Sequence, residues 1–313
     1  MFLTIIKKEV SMFASTKKIL AQAQKKKYAV PHFNINNMEI IQGVTNAAMK
    51  TNSPIILATS EGAIKYGGLS YLRCLAGSAA NSTRTSIALH LDHGRDLKLI
   101  KKCINAGYSS VMFDGSHLSF EENIKITKKV VNWGHKKNIS VEAELGTIGG
   151  KEDAIESRHI IYTQPEQAKE FVERTGCDFL AVAIGTSHGA HKFKGSAHLR
   201  HDLLKEIRKR VKVPLVLHGA SGVPEKVVKE AIKYGAKLSG VYGVPNSQIK
   251  KAIRNGICKI NTDTDLRLAF DGAVRKFLKT KPKDFDPRHI LGPARDAIQK
   301  VAEERIKVFG SGK

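Results

Sequence analysis

The chain has 313 residues and a hydrophobic content of 42%, which suffices for one large α/β barrel or for two ordinary domains. Its apolar runs are too short to cross a bilayer, and its first lysines follow the apolar stretch, the reverse of a secretory signal, so no membrane partner is expected. The net charge of +23 comes from lysines scattered through helical segments. No arginine-and-aromatic groove accompanies them, which argues against a nucleic-acid partner, and the charge would attract small anionic ligands.

The predicted elements alternate between strands and helices after a short N-terminal extension. Residues 1–11 are predicted to be flexible, and residues 12–313 to form one domain. The predicted strands, rich in apolar and β-branched residues, are Tyr28–Ile35, Pro54–Ser60, Ser86–Leu91, Ser110–Asp114, Ser140–Leu145, Phe179–Gly185, Leu215–His218 and Cys258–Thr262. The helical segments between them include Met38–Thr51, Asp96–Ala106, Phe120–Lys136, Pro165–Thr175 and Pro224–Tyr234. Eight strands in this alternation predict the α/β class and a closed (β/α)8 TIM barrel.

Most of the predicted strands change from apolar to polar residues where they end. The polar residues at these ends include Asn34, Ser60, Glu61, Asp92, His93, Asp114, Glu142, Glu144, His188, His218, Asn261 and Asp263. A packed core needs none of them, and the carboxyl ends of barrel strands face one mouth, where active sites form. We therefore expect the active site at this mouth, with the long loops Thr147–Thr163 and Thr186–Ala197 as candidate lids.

Three histidines, His93, His188 and His218, follow three different predicted strands. Neutral imidazoles that converge from rigid strand ends can hold a catalytic zinc ion and leave its fourth position open for water or substrate. Their positions therefore predict a metal site, with Asp114 and Glu144 as outer partners or as ligands for a second or shifted ion. No role is assigned to the other histidines, which include His32 and His90.

Small residues and hydroxyl groups after the last three predicted strands indicate a phosphate site. The segments are His188–Lys192, His218–Gly222 and Asn261–Asp265. Glycines let backbone N–H groups approach an oxyanion closely, while serine and threonine hydroxyls and a lysine add donors and a positive charge. Because loops after the last barrel strands commonly bind phosphate at a helix N-terminus, we expect a phosphorylated ligand here.

The four cysteines, Cys74, Cys103, Cys177 and Cys258, form no C-x-x-C pair and no dense cluster. This spacing argues against a disulfide framework and against a thiolate zinc site. We therefore expect a reducing compartment and a cytoplasmic protein.

Several short motifs follow one another along the chain without large gaps. They are Phe33–Asn34, Ser60–Ala63, Leu91–Gly94, Ser110–Asp114, Val141–Gly146, Gly149–Asp153, Gly185–Gly189, Leu217–Gly219, Lys259–Asp265 and Asp286–Arg295. Together, these motifs resemble the class II fructose-bisphosphate aldolases, and jointly they are highly specific. The resemblance implies metal-binding, catalytic and substrate-binding roles for the matching residues.

In the implied site, zinc would be bound by His93, His188 and His218, with Asp114 and Glu144 near an alternative metal position. Asp92 would be the acid/base acting on the C4 hydroxyl, and Glu152 would move the proton at the nucleophilic carbon. The C1 phosphate would be held by Gly189, Lys192, Gly219, Ser221, Asn261 and Thr264. The remaining expected substrate contacts are Arg267, for the second phosphate, and Asn34, Ser60 and Asp263.

The resemblance implies a reversible retro-aldol cleavage of fructose 1,6-bisphosphate to dihydroxyacetone phosphate and glyceraldehyde 3-phosphate, through a zinc-stabilised enediolate, in glycolysis or gluconeogenesis. It also implies a homodimer or homotetramer and a monovalent cation beside zinc. The main alternative is a tagatose-1,6-bisphosphate aldolase, although Asp263 can hydrogen-bond a sugar hydroxyl and favours fructose. A Schiff-base aldolase using Lys259, a metal-dependent hydrolase and a charge-driven nucleic-acid role are further alternatives.

Overall fold

The computed structural model describes residues 12–152, 155–157, 160–188, 197–238 and 240–312, without the side chains of residues 150–152, 155–157 and 188. The predicted N-terminal extension, residues 1–11, lies outside the described residues, as do Gly189 and Lys192 of the predicted phosphate site.

Eight parallel strands close into a barrel. They are β1 (Val30–Asn34), β2 (Ile55–Thr59), β3 (Ile87–Gly94), β4 (Ser110–Phe113), β5 (Ser140–Leu145), β6 (Phe179–Val182), β7 (Leu215–Leu217) and β8 (Ile257–Thr262). Each strand pairs with the next one in the chain, and β8 pairs with β1 to complete the ring. Every strand overlaps one of the eight predicted runs, so the predicted TIM barrel is confirmed.

One helix precedes the first strand, and the others lie between the strands or follow the last one. They are α1 (Thr16–Lys26), α2 (Met38–Thr51), α3 (Glu61–Gly67), α4 (Leu69–Asn81), α5 (Leu97–Asn105), α6 (Phe120–His135), α7 (Pro165–Thr175), α8 (His201–Arg210), α9 (Glu225–Lys233), α10 (Asn246–Arg254), α11 (Thr264–Thr280) and α12 (Pro287–Phe309). Local signals set several boundaries: Asn37 caps α2, and a capping box of Ser119 and Glu122 begins α6. Among the described helices, none combines the length and the apolar content that crossing a bilayer demands.

Side chains alternate along the strands between the barrel interior and the helix-facing side. On β5, Val141, Ala143 and Leu145 belong to the core between strands and helices. The intervening Glu142 and Glu144 are buried inside the barrel, where both contact a histidine of β7's carboxyl end. This two-residue period places polar residues inside the barrel without opening the outer core.

The barrel interior is layered from its amino end to its mouth. The first layer is apolar and packs against Ile19 and Leu20 of α1, which closes this end of the barrel. Its members on the strands include Val30, Ile56, Ala88, Phe179 and Val216. A buried polar layer follows, formed by His32, His90, Glu142 and Lys259. The residues of the mouth lie above this layer and are therefore supported by charged groups rather than by apolar side chains.

The two predicted lid loops are connected by backbone pairing. Gly149–Glu152 pairs with Ile155–Ser157 in an antiparallel hairpin and with Ser187–His188 in parallel. The residue partners in the parallel contact are Gly149 with Ser187 and Gly150 with His188. The loop that carries Glu152 therefore starts beside the backbone of a predicted metal ligand.

Candidate active site

Asp92 lies at the carboxyl end of β3 and is 2% exposed. Its Oδ2 accepts a hydrogen bond from Asn34 Nδ2 at 2.9 Å, and its Oδ1 accepts one from Asn261 Nδ2 at 3.1 Å. Burial alone would raise the pKa of this carboxyl, but the neighbouring His32 and His93 hold the pKa of Asp92 well below its usual range. Asp92 is therefore an ionised, oriented carboxylate that can accept a proton.

His93 follows Asp92 and has an unusual backbone conformation. Its φ is 47°, in the left-handed region that residues with a Cβ seldom adopt. The pairing between β3 and β4 shifts register between Leu91 and Gly94, on either side of this residue. Such conformations persist where the surrounding structure enforces them, often at functional sites. The local turn thus supports the prediction that His93 is a ligand rather than a packing residue.

The imidazoles of His93 and His218 face each other, with His93 Nε2 and His218 Nδ1 2.9 Å apart. The other nitrogen of each ring contacts a carboxylate: His93 Nδ1 lies 3.3 Å from Asp114 Oδ2, and His218 Nε2 lies 2.7 Å from Glu142 Oε1. Since an ionised carboxylate only accepts, these outer nitrogens carry the ring protons, and the facing nitrogens present lone pairs. Two facing lone pairs need a shared cation, either a proton or a metal ion.

The pKa values of the two rings shift in opposite directions. Burial alone would lower the pKa of His93, but Asp92, Asp114 and Glu144 raise it to about 10. Burial and the neighbouring His93 lower the pKa of His218 to about 4. The pair therefore accommodates one positive charge rather than two. A divalent cation at the facing nitrogens would take the place of that proton.

A buried carboxylate beside the rings completes a metal-binding donor set. Glu144 Oε2 lies 3.5 Å from His218 Nδ1, and it has no hydrogen-bond partner among the described residues. Burial and the nearby Asp114 raise the pKa of Glu144 well above its usual range. Possible ligand atoms of Asp92, His93 and His218 lie within 4.8 Å of one another, as do those of His93, Asp114 and Glu144. These imidazole and carboxylate donors fit a zinc-type divalent ion in either of two overlapping positions.

The described part of the predicted phosphate site lies on the loops after β7 and β8. Gly219 has a φ of 59°, and a Cβ at this position would lie 2.7 Å from the Ser187 carbonyl oxygen, so the turn requires glycine. Ser221 is buried, and its Oγ accepts a long hydrogen bond from the Asp263 backbone N–H at 3.4 Å. Thr264 begins α11, and the exposed N–H groups of a helix N-terminus attract anions.

Two acidic residues organise this helix N-terminus. Asp263 pairs with Arg267 across one helical turn, at 2.8 Å between Oδ2 and an Nη atom. Asp265 is fully buried and accepts hydrogen bonds from the backbone N–H groups of Gly222, at 3.1 Å, and Val223, at 2.7 Å. The carboxylate of Asp265 therefore ties the loop after β7 to the first turn of α11.

The other predicted site residues are only partly described. Ser60 is the N-cap of α3, where its Oγ accepts a hydrogen bond from the Ala63 backbone N–H at 3.1 Å. Glu152 and His188 are described by their backbones alone, and their assigned roles remain predictions.

Several buried neighbours of these residues have no place in the predicted zinc site, and Lys259 enters the sequence analysis only as the amine of a Schiff-base alternative. His32 Nε2 lies 3.4 Å from Asp92 Oδ2. His90 Nε2 and Lys259 Nζ lie 3.4 Å and 2.9 Å from Glu142 Oε2. Glu142 and Asp265 are the other two neighbours of this kind. The signal that could have found most of them is the two-residue period, because His32, His90 and Glu142 each lie two residues before a polar residue of the mouth.

Known proteins match this chain over nearly its whole length. The model of the family "Fructose-bisphosphate aldolase class-II" matches residues 14–238 and 237–313. A fructose-bisphosphate aldolase of Thermus caldophilus is 47% identical over 302 residues, covering 96% of this chain and 99% of the relative. One of Giardia intestinalis is 48% identical over 298 residues, covering 94% and 92%. The crystal structure of the YdjI aldolase from Escherichia coli K12 has a TM-score of 0.79 and 35% identity, covering 96% of this chain and 98% of that one.

Proposed function

Because the chain belongs to the class II fructose-bisphosphate aldolase family, a family of metal-dependent lyases, we propose that its barrel mouth cleaves fructose 1,6-bisphosphate with zinc as the metal. The single observation that carries this proposal is the pair of facing nitrogens of His93 and His218 beside the ionised carboxylate of Asp92. The tagatose alternative is not favoured, since the curated relatives are named for fructose bisphosphate.

The proposed zinc ligands are His93, His188 and His218, with Asp114 and Glu144 available to an ion in the second position. Support comes from the unpartnered oxygen of Glu144 and from the second group of donor atoms that shares His93. When bound, the ion supplies Lewis acidity to the substrate carbonyl, which stabilises the charge that develops as the carbon–carbon bond breaks. A monovalent cation is a further expectation from the family resemblance.

The proposed acid/base is Asp92. As the C3–C4 bond breaks, Asp92 accepts the proton of the C4 hydroxyl, and the electron pair of the bond remains with C3. Asn34 and Asn261 donate to both oxygens of this carboxylate and so fix the direction from which it approaches the hydroxyl. Glu152 then delivers a proton to C3, which completes dihydroxyacetone phosphate; the other product is glyceraldehyde 3-phosphate.

The proposed substrate clamp joins two phosphate sites. Gly219, Ser221, Asn261 and Thr264, together with Gly189 and Lys192, would hold the C1 phosphate at the N-terminus of α11. The other proposed contacts are Arg267, for the second phosphate, and Asn34, Ser60 and Asp263. A place in glycolysis or gluconeogenesis, a cytoplasmic location, a homodimer or homotetramer and a single domain over residues 12–313 are parts of the same proposal.

The test is the release of triose phosphates from fructose 1,6-bisphosphate before chelation, after chelation and after zinc is restored. We expect cleavage that disappears with the chelator and returns with zinc, and slower cleavage of tagatose 1,6-bisphosphate. Release of inorganic phosphate instead would indicate a hydrolase. Cleavage that survives chelation and is abolished by borohydride in the presence of substrate would indicate a Schiff-base enzyme.

A further inference from the structure

We propose that Lys259 is a positioning residue that orients both the metal ligand His218 and the base Asp92 from inside the barrel, an inference that rests on the proposed function. Lys259 lies on β8, two residues before Asn261, and its side chain is fully buried. Its Nζ lies 2.9 Å from Glu142 Oε2 and 2.8 Å from Asn261 Oδ1. One ammonium group thus contacts a partner of each reactive residue.

The first arm of this network leads to the metal site. Glu142 Oε1 lies 2.7 Å from His218 Nε2 and accepts its proton in a hydrogen bond. The approach of Lys259 to Oε2 is an ion pair rather than an aligned hydrogen bond, and it places a positive charge beside a carboxylate that is fully buried. Because Lys259 holds Oε2, Glu142 keeps Oε1 directed at His218 Nε2, and this contact fixes the ring so that Nδ1 faces His93.

The second arm leads to the proposed base. An ammonium group only donates, so the Asn261 side chain must turn its carbonyl oxygen towards Lys259. Its NH₂ group is then directed at Asp92 Oδ1, which it reaches at 3.1 Å. Lys259 therefore determines which way the Asn261 amide faces, and through it the orientation of the carboxylate.

The burial of this lysine argues for a positioning role against two others. An apolar side chain would fill the same volume at a smaller cost of desolvation, so packing alone does not explain a charge here. A Schiff-base electrophile must reach the substrate carbonyl, but the amine lies in the layer below the mouth and is already engaged by Glu142 and Asn261. Within the described part of the chain, Lys259 reaches His218 through Glu142 and Asp92 through Asn261 rather than by direct hydrogen bonds.

The experiment compares Lys259→Met, Glu142→Gln and the double variant with wild type. Zinc affinity is measured by competition with a chelating indicator, and turnover is measured at saturating zinc. Outer partners of metal ligands typically change metal affinity or activity by about 10–100-fold, so we expect Lys259→Met to weaken zinc binding in that range and to lower kcat even when zinc is saturating. Glu142→Gln keeps an oxygen that can accept a hydrogen bond from His218, so we expect it to lose less zinc affinity than Lys259→Met.

If Lys259→Met alone fails to fold, the double variant tests the proposal instead. Replacing both Lys259 and Glu142 leaves neither charge of this ion pair unpaired inside the barrel. The control is Ile56→Ala, which removes buried volume from the apolar layer and should lower the melting temperature with zinc affinity within about twofold of wild type. Either wild-type zinc affinity or wild-type turnover at saturating zinc, in a folded Lys259→Met or double variant, would overturn the proposal. Absence of cleavage by the wild-type enzyme would instead refute the proposed function.

Discussion

Asp92 and His93 are neighbours in sequence with different proposed roles and different surroundings. The left-handed turn at His93 lets two consecutive residues serve one site, although consecutive strand residues normally face opposite sides of a sheet. Asp92 is held by two amides, while His93 contacts Asp114 and His218. The structure thereby places a hydrogen-bonded carboxylate and an imidazole side by side, each with its own hydrogen-bond partners.

We predict that Asp92→Ala lowers kcat at least about 10²-fold, the lower end of general acid–base contributions, because Asp92 is the proposed acceptor of the C4 hydroxyl proton. Zinc content, measured on the purified variant, should stay near that of wild type, since the imidazoles and Glu144 remain. A loss of turnover below about tenfold would show that Asp92 is not the acid/base.

Among the secondary-structure elements, α2 follows the first strand and packs against α12, the last helix. This contact completes the ring of helices around the barrel. A Cβ on Gly43 of α2 would lie 2.8 Å from the Arg295 carbonyl oxygen and 2.7 Å from Ile298 Cγ2. Because backbone atoms of α12 are among these contacts, a larger residue would force the helices apart. Gly43 therefore sets the distance between the two helices.

We predict that Gly43→Ala lowers the free energy of unfolding, because an overpacking cost of about 1–3 kcal/mol exceeds the gain of about 0.5–1 kcal/mol from helix propensity. Denaturant unfolding measures the change, and kcat of the folded enzyme should stay at the wild-type value. The matched control is Gly272→Ala in α11, where the new Cβ would make an ordinary 3.4 Å contact with Ala231. Equal or greater stability of Gly43→Ala would contradict this account of the packing.

Over the whole molecule, the reaction rates of the four thiols measure how readily a reagent reaches the interior of the folded protein. Cys103, Cys177 and Cys258 are buried, and burial raises the pKa of these thiols to about 12, 12 and 11. Cys74 is exposed. A thiol reacts only when it is ionised and accessible to the reagent. Burial of Cys103, Cys177 and Cys258 therefore protects them both by raising their pKa and by excluding the reagent.

We predict that no more than one thiol of the native protein reacts rapidly with a thiol-specific disulfide reagent near pH 8, and that all four react after denaturation. Cys74→Ser should abolish the rapid phase without changing the slow one. Any rapidly reacting thiol in native Cys74→Ser would mean that the core opens more readily than its packing indicates.

The sequence by itself determined the barrel and the identity of most mouth residues. Strand and helix periods are local properties, so Met38–Thr51 and Pro165–Thr175 were predicted with the bounds that the structure has. The polar strand ends Asp92, His93 and His218 were recognisable because burial of a parallel strand otherwise favours apolar residues.

Only the tertiary structure decided which of these residues touch one another. The 2.9 Å approach of His93 to His218, and the link from Lys259 through Glu142 to His218, join strands that lie far apart in sequence. Such contacts depend on the register between strands and on the closure of the barrel, and neither leaves a local periodic signal. For the same reason the sequence shows Lys259 only as a strand lysine and a candidate Schiff-base amine, whereas the folded barrel places it against Glu142 and Asn261.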